Sequence, residues 1–337
     1  MRPVCGISQT QSDSPDLSMN VYDTLESVPF EPATALTIGT FDGVHLGHRR
    51  ILDELKRVAA GIGGRSLVLT FHPHPQEILR KTGDSVPVLT PIERKLDLFR
   101  ETGIDATVIL PFTKEFAATP WQNFVDQLIE HLGLKHMVVG HDHAFGRNRE
   151  GNAESLRQYG AECGFTFTQV GPFIMDGEAI SSTKIRRALL DGDLETANRW
   201  LDRPYGIRGT VVKGDGRGRQ IGMPTANVRP ESDGLLVPHN GVYCVRMHIG
   251  NGENRAVYGG MANIGVRPTF TDGTERTIEA HLFGFNDELY HQKVTVEFLK
   301  FVRFEQRFPS KEAFLAQLEE DRKICEKHLE ELAGNNP

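Results

Sequence analysis

The sequence has few cysteines, no long apolar run and no excess of basic charge. Its four cysteines, at positions 5, 163, 244 and 325, form no CxxC pair, which argues against a disulfide framework or a thiolate zinc site. No segment approaches the roughly 18 apolar residues that a membrane helix needs, and the mean hydropathy is −0.35. The net charge of −7 argues against a nucleic-acid-binding protein, because such proteins are usually basic. We therefore expect neither a nucleic-acid nor a membrane partner.

The length and composition are those of a globular enzyme. The chain has 337 residues, of which 39% are hydrophobic and 25% charged, and this length predicts two domains. Residues 1–18 are polar and without periodicity, so we expect a disordered extension, with Met19 as an alternative start. The first residues lack the basic-then-apolar order of a signal peptide, which predicts a cytoplasmic protein.

Residues 19–187 alternate short apolar runs with amphipathic segments. Leu36–Ile38 is predicted to be a strand, 48–60 a helix ended by Gly61, and Ser66–Phe71 a buried strand. The same alternation predicts further helices at 91–101, 120–132 and 153–159, and further strands at 107–110, 136–139 and 165–170. Strands that alternate with helices through short loops are typical of a parallel α/β sheet.

The pattern changes after a predicted helical linker at 188–204. Residues 205–337 contain short runs of alternating apolar residues separated by glycine-rich turns, which are predicted strands at 242–248, 277–283 and 293–298. In the last of these, Val294, Val296 and Phe298 point inward. A helix follows, with Phe314, Leu318 and Ile324 on its apolar face. This pattern predicts a small antiparallel β-barrel closed by a helix.

The first motif runs from Thr37 to His48, from a strand end through a glycine-rich loop into a helix. Glycines such as Gly39 allow the backbone to approach a ligand, and the N–H groups of a helix start bind phosphate. His45 and His48 lie three residues apart on one face of a first helical turn, where they could stabilise the charge of a departing pyrophosphate. Two surface histidines, or a zinc pair, would explain the same pattern. A zinc hydrolase would add two histidines of another loop, His72 and His74.

The second motif, Ile180–Arg186, follows the last strand and opens a helix. Ser182 and Thr183 could bind phosphate with Arg186 as the cationic partner, although taken alone the run is better explained as a serine cap with a basic first turn. Together with the HxGH loop, it resembles the nucleotidyltransferase superfamily. Two runs, 71–75 and 140–146, follow predicted strands and therefore fall at the carboxyl edge of the sheet, where α/β folds bind ligands.

The third motif is the glycine-rich run 214–227, which ends in Pro-Thr-Ala-Asn. Arg217 and Arg219 among glycines form a cationic cover for phosphates, and Thr225 and Asn227 supply the oxygen ligands that Mg²⁺ prefers. An exposed basic hairpin would have the same composition. The run resembles riboflavin kinases, as do the later runs 260–270 and 277–283.

Taken together, residues 35–330 resemble the prokaryotic bifunctional riboflavin kinase/FAD synthetase family. The resemblance implies a Rossmann-like FMN adenylyltransferase domain at 19–187 and a six-stranded flavokinase barrel at 205–337. It implies that riboflavin and ATP give FMN, and that FMN and ATP give FAD and pyrophosphate, with Mg²⁺ as cofactor and ATP as co-substrate. We expect these small-molecule partners and a monomer or weak homo-oligomer.

The motifs and the resemblance assign roles to particular residues. Catalysis is assigned to Glu279, as the base acting on the ribityl hydroxyl, and to His45 and His48. The predicted nucleotide- and phosphate-binding residues are Gly39, Phe41, Asp142, Ser182, Thr183, Arg186, Gly214, Arg217, Arg219, Thr225 and Asn227. Flavin binding is assigned to Arg267 and Phe270, and Mg²⁺ binding to Thr225 and Asn227.

Two alternatives to this assignment stay open. Glu279 could be an ordinary solvent-facing strand residue. The whole chain could be a flavin-binding regulatory protein with lost or single catalytic activity. The presence of both histidines, Thr225, Asn227 and Glu279 favours the enzyme.

Overall fold

The computed structural model describes residues 18–79, 86–147, 150–214, 218, 222–232, 234–250, 255–268 and 274–334, with the backbone alone at 267–268 and 274–275. All but the last residue of the predicted N-terminal extension lies outside the described residues. So do Arg217, Arg219, Phe270 and the side chain of Arg267. The chain forms two units. The first comprises residues up to 40, 51–75 and 92–170, and the second residues 41–50, 76–91 and those from 171 onward.

A six-stranded parallel sheet forms the centre of the first unit. Its strands are β1 (Asn20–Tyr22), β2 (Thr34–Ile38), β3 (Arg65–His72), β4 (Ala106–Pro111), β5 (Leu134–Gly140) and β6 (Thr166–Val170), in the order β1-β4-β3-β2-β5-β6. All neighbouring pairs are parallel. Every residue of β2 is buried, as expected for a central strand covered on both faces. The predicted parallel α/β fold is confirmed.

Helices connect these strands. They are α1 (Leu46–Gly61), α2 (Pro75–Leu79), α3 (Ile92–Thr102), α4 (Lys114–Ala117), α5 (Trp121–Leu132) and α6 (Ala153–Cys163). Helix α5 buries five apolar residues at helical spacing and ends at Gly133, which has a φ of 68°. Helix α6 extends past its predicted end to Cys163, because a left-handed glycine that can stop it comes only at Gly164. None of the helices in the described stretches is long and apolar enough to span a bilayer.

The second unit contains a closed antiparallel barrel. Its strands are β9 (Tyr205–Val212), β10 (Ala226–Pro230), β11 (Gly241–Ile249), β12 (Ala256–Pro268), β13 (Thr274–Leu282) and β14 (Lys293–Arg303), in the order β10-β13-β12-β11-β14-β9. The barrel closes because β9 also pairs with β10. Val294, Val296 and Phe298 are buried inside, as predicted. The six-stranded barrel that the resemblance implied is confirmed.

The C-terminal helix, α9 (Lys311–Gly334), packs on the barrel. Leu318 contacts an apolar cluster that includes Cys244 and Cys325. The residues that α9 buries most deeply are Asp321 and Cys325, whereas Ile324 is half-buried. Asp321 is tolerated there because Arg303 donates hydrogen bonds to its carboxylate at 2.7–3.0 Å.

A short hairpin and two helices precede the barrel. The hairpin is β7 (Ile174–Met175) with β8 (Glu178–Ala179), and the helices are α7 (Ser182–Asp191) and α8 (Leu194–Leu201). The apolar faces of α7 and α8 belong to the same buried cluster as the barrel interior. The predicted linker 188–204 therefore contains the end of α7 and all of α8, and it packs against the barrel.

Candidate active sites

The loop after β2 has an unusual backbone. Phe41, Gly43 and Val44 have φ angles of 47°, 88° and 40°, and this left-handed region is costly for a bulky or β-branched residue. Arg203 donates hydrogen bonds to the carbonyl oxygens of Gly43 and Val44 at 2.5 and 3.2 Å. The loop therefore keeps its shape through contacts with distant parts of the chain.

A buried carboxylate, Asp42, makes the strongest of these contacts. It is fully buried and accepts hydrogen bonds from the backbone N–H groups of Leu89 and Thr90 at 3.0 Å. The guanidinium of Arg186 on α7 lies 2.6 Å from the same carboxylate. A buried charge is stable only when it is paired and hydrogen-bonded in this way. Asp42 thus connects the loop, the segment around residue 89 and α7.

The two histidines of the HxGH motif lie in contact at the start of α1. Their rings are stacked, with centroids 3.6 Å apart and planes 18° apart. The backbone N–H of His48 donates to Nδ1 of His45 at 3.3 Å, so His45 caps the helix, which begins two residues earlier than predicted. We assign the proton of the neutral His45 ring to Nε2, because Nδ1 is the acceptor. The backbone N–H groups of the helix start can donate to an anion.

The Ile180–Arg186 run forms the start of α7, as predicted. The hydroxyl of Ser181 accepts from an N–H of the first turn at 3.4 Å, while the hydroxyl of Ser182 donates to the carbonyl of Asp42 at 2.8 Å. Arg186 is bound to Asp42, and only Thr183 is exposed. Ser182 and Arg186 thus support the HxGH loop directly. Phosphate binding by these residues stays a prediction.

Other predicted residues lie at the carboxyl edge of the sheet. The N–H of Gly39 donates to the carbonyl of Leu69 on β3 at 3.0 Å, so the loop leaves the sheet immediately after this glycine. Asp142 follows β5 with an exposed side chain, 3.9 Å from Nδ1 of His141. Because β3 and β5 flank β2, the loops after all three strands leave the sheet at one edge.

Zinc binding was the alternative role of His45, His48, His72 and His74. Within the described ranges, no three His, Cys, Asp or Glu side chains are grouped as metal ligands. The zinc alternative therefore has no ligand set there.

A polar row crosses three strands on the outer face of the barrel. Glu279 on β13 lies opposite Asn227 on β10 and opposite Asn263 on β12. Directly paired residues of antiparallel strands share a face, with Cβ atoms about 5 Å apart. The row faces outward because its neighbours along the strands are buried inside, namely Val228, Ala262, Ile264, Ile278 and Ala280. Glu279 is thus a half-buried carboxylate between two carboxamides.

Two glycines of the run 214–227 lie close to Asn227 and Thr225. A Cβ at Gly214 would overlap the carboxamide of Asn227, and one at Gly218 would lie 3.3 Å from the hydroxyl of Thr225. Only glycine allows such an approach. The hydroxyl and amide oxygens of Thr225 and Asn227 are of the type that Mg²⁺ prefers, so these residues fit the predicted ion.

The sequence did not predict the roles of Asp42, Arg203 and Asn263. Asp42 and Arg203 hold the HxGH loop, but neither has a spacing that points to its partner. Asn263 lies within the run 260–270 that carried the resemblance. Its pairing with Glu279 could have been found only by aligning two strands in register.

The chain matches the models of two protein families. Residues 28–184 match the FAD synthetase family, and residues 201–329 match the riboflavin kinase family. The first match contains the HxGH loop and the start of α7. The second contains the polar row on the barrel.

Known proteins match most of the chain. A bifunctional riboflavin kinase/FMN adenylyltransferase of Listeria monocytogenes is 40% identical, over 85% of this chain and 89% of its own. That of Bacillus subtilis is 35% identical, over 89% and 93%. A crystal structure from Streptococcus pneumoniae, described as a macrolide-efflux protein, superposes with a TM-score of 0.83 and 29% identity, over 91% of this chain and 98% of its own. The chain therefore belongs to the bifunctional riboflavin kinase/FMN adenylyltransferase family.

Proposed function

We propose that the two reactions of this bifunctional riboflavin kinase/FMN adenylyltransferase take place in separate parts of the chain. Residues 205–337 would phosphorylate riboflavin with ATP, giving FMN and ADP. Residues 19–187 would transfer the adenylyl group of a second ATP to FMN, giving FAD and pyrophosphate, and 188–204 would join the two domains. The observation that carries this division is that each family match contains one of the two polar arrangements.

In the kinase step, Glu279 is the general base. It takes the proton of the ribityl 5′-hydroxyl as the oxygen attacks the γ-phosphorus of ATP. A half-buried carboxylate between two carboxamides is accessible to substrate and still held in place. Thr225 and Asn227 would hold Mg²⁺, which when bound neutralises phosphate charge. The remaining assigned ligands are Gly214, Arg217 and Arg219 for phosphate, and Arg267 and Phe270 for flavin.

In the adenylyl step, a phosphate oxygen of FMN attacks the α-phosphorus of ATP and pyrophosphate leaves. His45 and His48 donate hydrogen bonds to the phosphates, and the stacked rings at the start of α1 support this role. Thr183 is exposed at the start of α7 and can donate from its hydroxyl. The other proposed ligands are Gly39, Phe41, Asp142, Ser182 and Arg186.

We further propose a cytoplasmic enzyme that is a monomer or weak homo-oligomer and requires Mg²⁺ at both steps. Both steps consume ATP, which supports this compartment. Sizing of the purified protein and removal of Mg²⁺ by chelation test the last two points: a stable large assembly, or full activity without a divalent cation, contradicts them.

Two variants of the full chain test the division. Glu279→Gln keeps the shape of the side chain and removes the base, so FMN formation should fall by about 10²–10⁴-fold. His45→Asn keeps an acceptor that can cap α1 but lacks the imidazole, so FAD formation from supplied FMN should fall about 10²-fold. Each variant should keep the other activity. Chromatography of FMN and FAD, with riboflavin and FMN offered separately, measures both.

Glu319→Gln, which removes an exposed carboxylate of α9, is the matched control and should keep both activities. Wild-type FMN formation by Glu279→Gln would make Glu279 an ordinary strand residue. Loss of both activities in a single variant that keeps the wild-type free energy of unfolding would contradict separate sites.

A further inference from the structure

A histidine beside Glu279 makes a hydrogen bond to the segment that carries Thr225. His281 follows Glu279 by two residues on β13 and therefore shares its outward face. Its Nδ1 lies 2.8 Å from the carbonyl oxygen of Pro224. Because a carbonyl only accepts, Nδ1 carries the proton and His281 donates.

The accepting carbonyl belongs to the peptide unit that joins Pro224 to Thr225. This unit is planar, so the direction of the carbonyl sets the orientation of the Thr225 N–H and constrains its Cα. On one side, Met223 packs beside the cluster of Cys244, Met261 and Cys325. On the other side, β10 begins at Ala226. The hydrogen bond from His281 therefore restrains the backbone at Thr225, whose neighbouring residues are fixed by packing on one side and by strand pairing on the other.

We propose that His281 is a positioning residue of the kinase reaction. By donating to the Pro224 carbonyl, it fixes the backbone at Thr225 and so holds the hydroxyl that would bind Mg²⁺ and phosphate. The inference rests on the role of Thr225 proposed above. A misplacement of about 1 Å in a reacting site can cost about 10²-fold in rate, so one hydrogen bond at this place has a large effect.

Packing is the alternative role of the ring. The imidazole meets the ring of Phe283 edge-on, with centroids 5.9 Å apart. Two substitutions separate the roles. His281→Phe keeps an aromatic ring and loses the donor. His281→Asn loses the ring and keeps an N–H near the position of Nδ1.

The experiment measures kcat and KM for ATP–Mg²⁺ and for riboflavin in the full chain. In His281→Ala and His281→Phe, kcat/KM for ATP–Mg²⁺ should fall by about 10- to 100-fold, with KM for riboflavin changed little. In His281→Asn it should stay within about threefold of wild type, because the donor is kept. FAD formation from supplied FMN should be unchanged in all three. His328→Ala, which removes a half-buried histidine of α9, is the matched control and should keep both activities.

The proposal is overturned if His281→Phe keeps the wild-type kcat/KM for ATP–Mg²⁺ while His281→Asn loses it. That result would assign the effect to packing of the ring. Wild-type kinetics in His281→Ala overturn it as well. If Glu279→Gln loses FMN formation while every His281 variant keeps it, this inference alone fails. If the wild-type protein makes no FMN, the proposed kinase function fails and this inference fails with it.

Discussion

Two carboxylates of this chain, Asp42 and Glu279, have opposite surroundings. Asp42 is fully buried and bonded to backbone N–H groups and to Arg186, so a substrate cannot reach it. Glu279 is half-buried in a row of carboxamides and is accessible to a hydroxyl group. Burial and partners thus give Asp42 a structural role, whereas the exposure of Glu279 is compatible with its proposed role as a base.

Asp42→Asn tests the structural role. The substitution leaves the Arg186 guanidinium, whose side chain is only 10% exposed, without its counter-charge. Breaking a buried pair in this way costs about 3–5 kcal/mol. We expect a lower free energy of unfolding in denaturant titrations and slow FAD formation from FMN.

The matched control is Asp191→Asn, whose partner Arg187 is exposed. An exposed pair is worth at most about 1 kcal/mol, so this variant should resemble wild type. An Asp42→Asn protein with wild-type stability and FAD formation would show that the pair does not hold the loop.

On the barrel, the pairing of β11 with β14 is reinforced by charge. Glu297 lies 2.9 Å from Arg246 and 2.9 Å from Nε2 of His248. Arg255 donates to Nδ1 of His248 at 3.0 Å, so the ring directs its Nε2 proton toward Glu297. This network joins β11 to β14. Neither strand is among β10, β13 and β12, which carry the polar row with Glu279.

The network predicts an acid-sensitive contribution to stability. Burial raises the pKa of Glu297, but the neighbouring His248 and Arg246 side chains outweigh it and leave the pKa below its usual value. A carboxyl with a lowered folded-state pKa stabilises the fold above its unfolded pKa, and the contribution is lost as pH falls through the folded value. Glu297→Gln should therefore lower stability at pH 7 and flatten its decline toward pH 3.

Denaturant unfolding at a series of pH values measures this effect. Glu319→Gln, on the exposed side of α9, should keep the wild-type pH dependence. An unchanged acid decline in Glu297→Gln would show that the network contributes nothing.

At the scale of the whole molecule, α8 is hydrogen-bonded to the barrel and is not a flexible linker. Asn198 on α8 donates to the carbonyl of Phe298 at 2.9 Å and accepts from the N–H of Tyr205 at 2.7 Å. It thereby joins α8 to β14 and β9. For this reason the two activities are best separated by point variants of the full chain instead of by truncation at residue 205.

A mixing experiment tests whether FMN passes between molecules. Glu279→Gln should make FAD only from FMN, and His45→Asn should make FMN but little FAD. An equal mixture given riboflavin and ATP should therefore form FAD, because FMN released by one variant is used by the other. The double variant should form almost none. A mixture that accumulates FMN without FAD would contradict free exchange.

Local patterns in the chain were sufficient for much of the fold. The alternation of apolar runs and helices predicted the parallel sheet, and the inward side of β14 was correct to the residue. Glycines in β12 and the Pro-Thr-Ala-Asn run, which overlaps the start of β10, obscure alternation, so those strands were not predicted from periodicity. The number of barrel strands came from the family resemblance.

The motifs likewise identified both candidate sites but not what holds them. Asp42 and Arg186 are 144 residues apart along the chain, and Asn263 meets Glu279 only through the register of β12 with β13. The burial of Asp321 on α9 depends on Arg303 in the same way. Periodicity reflects backbone geometry over about a dozen neighbouring residues. Pairing between distant residues depends on how the whole chain packs, because a buried charge is stable only where packing supplies its partner.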